Sequence, residues 1–104
     1  MGRGDLRAHL RLLVERNMEF REIITLYAVL NMEATDPRHP AHHYFAERTR
    51  LGLETLEGLL GKPDPPIAAR QLLAFWQGLE ALWVADSGTD FLRVWDAFCD
   101  DFFR

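Results

Sequence analysis

Apolar residues recur at spacings of three and four along almost the whole chain, and nowhere alternate at two for long enough to build a strand. The pattern predicts an all-α protein of five helices. The first runs from Asp5, an N-capping residue type, to about Asn17, with Leu6, Leu10, Leu13, Val14 and Met18 on one face. Its back, with Arg7, Arg11 and Arg16, is expected to be basic and wet. The second, from Phe20 to about Ala34, is apolar nearly all round through Ile23, Ile24, Leu26, Tyr27, Val29, Leu30 and Met32. A helix of that kind belongs inside a bundle, so it is predicted to be the central buried one.

Thr35-Asp36-Pro37-Arg38-His39-Pro40 breaks the periodicity with two prolines and a capping-type aspartate, and Pro40 suits a first helical position. The third helix then extends to about Leu60. Phe45, Thr49, Leu53, Leu56 and Leu60 form its inner face, while Glu47, Arg50, Glu54 and Glu57 make a solvated ladder at three- and four-residue steps. Gly61-Lys62-Pro63-Asp64-Pro65-Pro66 reads as a stiff connection, with Gly61 as C-cap and Asp64 as the next N-cap.

Ile67–Val84 and Asp90–Phe103 form the last two helices, separated by Asp86-Ser87-Gly88 and capped by Thr89 or Asp90. Each is apolar over about half its circumference, more than the stripe of roughly 100° needed to cover one core. One face is expected to satisfy the protomer and the adjoining one a second copy, because a Phe or Trp left in water forfeits about 1.5–3 kcal/mol. The expected assembly is a homodimer in which the two hairpins make a four-helix bundle across the two-fold. Ala69, Leu72, Leu73, Trp76, Leu79, Trp83, Leu92, Trp95, Phe98 and Phe102 are its predicted interface. Gly78, in mid-helix, is read as a point where another backbone comes close.

With 104 residues the chain has the size of one domain, 1–104, and 48% apolar with 27% charged residues is globular composition. The net charge of −4 and the dispersion of the twelve Lys and Arg residues leave no cationic stripe for nucleic acid. A single cysteine, Cys99, excludes an internal disulfide. Met1-Gly2-Arg3-Gly4 does not resemble a signal peptide and no apolar run reaches membrane-spanning length, so a cytoplasmic protein is expected.

The blocks Leu12-Leu13-Val14-Glu15-Arg16-Asn17, Asn31-Met32-Glu33-Ala34-Thr35-Asp36-Pro37, His39-Pro40-Ala41-His42-x-Tyr44-Phe45-x-Glu47-Arg48 and Ala68-Ala69-Arg70-x-Leu72, with Gly78-Leu79 and Trp83, resemble the C-terminal domain of TetR-family transcriptional regulators. The resemblance spans nearly the whole chain, and its middle block is the most specific part. It implies a helical domain that binds a small-molecule effector, dimerises, and alters DNA affinity through an N-terminal helix-turn-helix unit absent here. The chain is thus expected to be the sensing half of such a regulator, either a fragment of a longer protein or a naturally truncated sensor, binding no nucleic acid by itself.

Ligand positions vary within that family, so the candidate pocket comes from the helical wheel. Asn31 shares a side of the second helix with Phe20, Ile24 and Tyr27, where its amide needs a partner supplied by backbone, by a helix end or by a ligand. Tyr27 could join it. His42 and Phe45 lie on the inner face of the third helix, and Phe75 and Trp76 on the fourth, with Met18 and Met32 as further apolar lining. The effector is expected to be a small apolar or aromatic molecule.

Asp36, His39, His42 and His43 contain ligand-type groups, but Pro40 breaks their spacing, and no metal or other cofactor is expected. Cys99 reads as a small buried hydrophobe among Trp95, Phe98 and Phe102. No phosphate loop, nucleophile elbow or His-Glu-x-x-His is present, and Asp100 and Asp101 are splayed on a helix, so no enzyme is expected. The competing class is a helical protein–protein interaction module without an internal pocket; a helical enzyme would need ionisable groups clustered round one.

Overall fold

The computed structural model describes residues 3–104, and Met1 and Gly2, where part of the signal-peptide reading falls, lie outside them. Over these residues the chain forms α1 (Arg3–Met18), α2 (Arg21–Glu33), α3 (His42–Leu59), α4 (Pro65–Ala85) and α5 (Phe91–Phe102), with no strand among them. The all-α expectation holds, and element boundaries fall within a few residues of those read from periodicity. Among the described residues no helix is long and apolar enough to cross a membrane.

The centre of the molecule is α4, where α2 was expected. α4 packs against α2, α3 and α5, and α1 bridges α2 and α5. Ala68, Ala69, Leu72, Leu79 and Trp83 of α4 are buried; α2 buries only Ile24. Size explains the difference. The molecule measures 40 × 32 × 18 Å, room for two layers of helices about 8–10 Å apart, so only one helix can be surrounded. Much of the apolar surface of α2 is therefore on the outside, with Ile23, Leu26, Val29 and Met32 at 50%, 53%, 50% and 70% exposure.

α1 delivers Leu6, Leu10 and Val14 to the core as its pattern predicts, but its basic back is not simply wet. Arg11 donates through two nitrogens to the two Asp96 oxygens at 2.9 and 3.0 Å. Arg7 donates to Asp100 at 2.7 Å and to the Asp96 carbonyl at 3.3 Å. The first and last helices are thereby clamped by charge as well as by packing. The Arg11 guanidinium holds the Asp96 carboxyl below its ordinary range.

Arg21, at the start of α2, donates to the carbonyls of Trp83 and Val84 at 3.2 and 3.4 Å and sits 4.7 Å over the Trp83 ring. These carbonyls belong to the last turn of α4, whose orphan acceptors and negative dipole end favour a cation. One end of α2 is thus pinned to α4.

The caps divide. Asp90 accepts from the Arg93 N–H at 3.2 Å as an N-cap should. Asp64 occupies the N-cap position of α4 without side-chain capping and at φ 52°, the left-handed region, while Leu60 rather than Gly61 caps α3. Asp5 falls inside the first turn of α1. On α3 the predicted inner face is correct, with Phe45, Leu56 and Leu60 buried, and Arg50 pairs with Glu47 and Glu54 in the predicted ladder.

Candidate functional site: the cleft between α2 and α4

Residues 74, 77, 78 and 81 share one face of α4 at three- and four-residue steps, and three of them are Ala74, Gly78 and Ala81. Across from this low stripe stand the large side chains of Phe20, which precedes α2, and of Ile23, Ile24, Tyr27 and Met32 on it. Large residues facing small ones interdigitate only if the helices close on each other. Here they do not, and a cleft of about 540 Å³ remains. A Cβ built on Gly78 meets nothing within 4 Å, so within the protomer no second backbone comes close to this glycine and it keeps the cleft open.

Phe20, Ile23, Tyr27 and Met32, all exposed, thus line this cleft. Polar groups converge there too: Asn17 from the end of α1, Asn31 of α2, Arg48 of α3, and Gln77 and Glu80 of α4. The side-chain amides of Asn31 and Gln77 make no hydrogen bond to another described residue. Arg48 places its guanidinium 5.0 Å from the centre of the Tyr27 ring, a cation–π arrangement at the exposed rim. Glu80 is half-buried, and loss of hydration pushes its carboxyl above the ordinary range, with Arg48 pulling weakly the other way.

A second cleft of about 320 Å³ runs between α2 and α3, lined by Asn31, Ala34, Thr35, His42, Phe45, Ala46 and Thr49. Phe45 and Ala34 are buried here, apart from the main core, with Tyr27 and Tyr44 edge-on to Phe45 at 6.0 and 5.1 Å. His42 donates from Nδ1 to the Ala34 carbonyl at 2.6 Å, which fastens α3 to the end of α2. Asn31 borders both clefts.

Of the six residues predicted for the pocket, Tyr27 and Asn31 line the larger cleft, and Asn31, His42 and Phe45 the smaller. Phe75 and Trp76 line neither. At about 100° per residue they point away from the Ala74, Gly78 and Ala81 stripe and into the seam with α5. There Phe75 stacks on Phe98 at 3.9 Å and Trp76 meets Trp95 at 5.2 Å. Met18 packs on the main core instead. Glu80, Gln77 and Arg48 are additions that periodicity did not single out. One signal was available: Glu80 is the sole charged residue in the fifteen from Gln71 to Ala85.

The predicted interface residues have other partners. Ala69, Leu72 and Trp95 have no exposure at all, and Leu79, Trp83 and Phe102 are buried in the same core. Leu73, Trp76, Leu92 and Phe98 are half-buried against it. The inference that this hairpin has more apolar surface than one protomer can cover therefore does not hold for most of these positions. Rings from both helices fill the seam between them, as in Trp83 against Phe91 and Phe75 against Phe98, and α1 covers α5 from the other side.

Around the histidines, His39 Nδ1 accepts the Ala41 N–H at 3.0 Å and Arg38 occupies both Asp36 oxygens. Among the described residues no three His, Cys, Asp or Glu side chains gather as a metal site would require. Cys99 is fully buried, and burial pushes its thiol up to about 11.

No family model, curated protein or solved structure matches this chain. The TetR-like resemblance rests on the sequence blocks themselves.

Proposed function

We infer that the chain is a small-molecule sensing domain, the regulatory half of a TetR-like cytoplasmic regulator, and that the cleft between α2 and α4 is its effector site. The observation that supports this most is the mismatch of side-chain size across that seam. An exposed apolar helix face is set against a stripe of small residues, with two amides not engaged by other described residues and a carboxylate at the same place. Concave, mostly apolar sites of a few hundred Å³ with a few polar groups are the usual form of ligand pockets.

Occupancy offers a route to regulation. α2 is held to α4 at its first turn by Arg21 and to α3 at its last by the bond from His42 to the Ala34 carbonyl, while its middle faces the cleft. A ligand that fits one spacing of α2 from α4 better than another shifts the populations of the two. In the proposed regulator this displacement reaches an N-terminal DNA-binding unit, and a homodimer aligns two such units. In the protomer the hairpin's apolar area still open to a second copy includes Ile67, Leu82 and Val94 and the outer edges of Leu73, Trp76, Leu92 and Phe98.

The test is a thermal-shift screen of small aromatic and aliphatic compounds against the wild type and Gly78→Leu. The substitution fills the cleft from a position with open space and replaces a mid-helix glycine, so it leaves the fold intact. Compounds that raise the melting temperature of the wild type and not of the variant support the site. Equal shifts in both place binding elsewhere. The interaction-module reading draws on Leu26 and Val29, which are about half exposed on α2 and lie outside the cleft lining. Capture of a protein partner that is lost in Leu26→Asp and retained in Gly78→Leu would favour it.

A further inference from the structure

The charges in the cleft restrict what can enter it, provided that the cleft is the ligand site inferred above. Only two charged side chains line it, Glu80 and Arg48. They differ in every respect that matters for recognition. Arg48 is exposed, solvated, and engaged with the Tyr27 ring. Glu80 is half-buried and makes no hydrogen bond or ion pair with another described residue; no salt bridge within 4 Å joins it to Arg48. Its neighbours along the wall are apolar or neutral: Ala81, Gly78, Gln77, and Phe20 and Ile23 opposite.

Each class of ligand then meets a different response. A purely apolar molecule would displace the remaining water from the carboxylate and leave a desolvated charge with no partner, which is costly. An anion would add like-charge repulsion to the same loss. A cation replaces the lost hydration with a charge-assisted hydrogen bond, while its apolar body covers the ring and branched side chains of α2. We propose that the cleft selects a molecule with an apolar, ring-sized body and one positively charged head, and that Glu80 receives the head. Arg48 opposes the same charge from the rim, where water screens it.

Three probes with one ring system separate the alternatives: naphthylmethylammonium, naphthylmethanol and naphthoate, titrated calorimetrically at neutral pH. The wild type binds the ammonium about tenfold more tightly than the alcohol, and naphthoate most weakly. Glu80→Gln, nearly isosteric, abolishes the ammonium's advantage and leaves the alcohol unchanged. Arg48→Gln moves the ammonium the other way, to tighter binding. Circular dichroism of each variant verifies the fold. Equal affinities for ammonium and alcohol in the wild type, or an advantage that survives Glu80→Gln, overturn the proposal; if the alcohol still loses its binding in Gly78→Leu, the ligand site stands without it. Should no probe lose affinity in Gly78→Leu, the site reading itself fails and the charge preference with it.

Discussion

The seams that α4 makes with α5 and with α2 differ in one respect that decides their roles. Against α5, large meets large: Trp83, Trp76 and Phe75 interleave with Phe91, Trp95 and Phe98, and the seam is closed. Against α2, large meets small, and the seam is open by about 540 Å³. Both stretches are rich in apolar residues, yet one is core and the other a wall. The lesson is that hydrophobic content alone does not say which surface lacks a partner. Complementarity of size across the contact does, because interiors pack to near-crystalline density only where shapes interdigitate.

The contrast is most easily broken by truncation. Trp95→Ala should cost about 3–5 kcal/mol in urea unfolding, since it empties a site with no exposure, whereas Ile23→Ala in the cleft wall should cost under about 1 kcal/mol. Similar losses at the two positions would mean that the α2–α4 seam is closed in solution. Arg21→Ala comes next, at about 1–2 kcal/mol, because it strands two carbonyls at the end of α4 and releases the only end of α2 held there. Hydrogen exchange should then rise along α2 and not along α5; uniform protection would contradict a separately anchored α2.

Acid and base titrations sharpen the same comparison with opposite signs. Asp96 lies in the α1–α5 clamp with its folded pKa lowered. Its contribution is present above the unfolded aspartate value of about 3.9 and is lost as pH falls through the lower folded value. Glu80 lies in the cleft with its folded pKa raised, facing Arg48 and, among titratable groups, Tyr27. Its contribution is full below the unfolded glutamate value of about 4.3 and is lost as pH rises through the folded one. Glu80→Gln should therefore gain stability on the wild type as pH climbs out of the acid range, and Asp96→Asn should lose it. A pH-independent difference in either pair refutes the corresponding assignment.

The smallest expected effects are conformational. Gly78→Ala should add about 0.5–1 kcal/mol, having open space for its methyl group. Asp64→Gly should add about 0.5 kcal/mol by relieving the left-handed backbone before Pro65.

Much of the fold could be read from periodicity, because a single buried face at three- and four-residue spacing is a local property. The inner faces of α1 and α3, the break at Pro37 and Pro40, and the Asp90 cap all follow from it. What could not be read was which of two apolar helices is surrounded. Both are apolar on most sides, and although α4 is the longer and carries only Arg70 and Glu80 as charges, its place is decided by its three neighbours, a property of the assembled bundle. For the same reason a helical wheel does not reveal that Phe75 and Trp76 enter the seam with α5 and line neither cleft. Arg7 and Arg11 likewise look solvated until α5 presents Asp96 and Asp100 to them. Asn31 and Tyr27 were legible because a polar tip on an otherwise apolar face is conspicuous in sequence. Glu80 carried the same mark, a lone charge in a long neutral stretch, on the facing helix.

The central claim is that the open seam of α4, and not the closed one, receives a small molecule. Mapping amide chemical shifts by NMR during titration with naphthylmethanol tests it most directly. The account predicts that Ile23, Tyr27, Ala74, Gly78 and Ala81 shift together and saturate, while Trp95, Phe98 and Cys99 of the closed seam stay in place. Shifts concentrated in α5, or none in α2 and α4 at saturating probe, would contradict it.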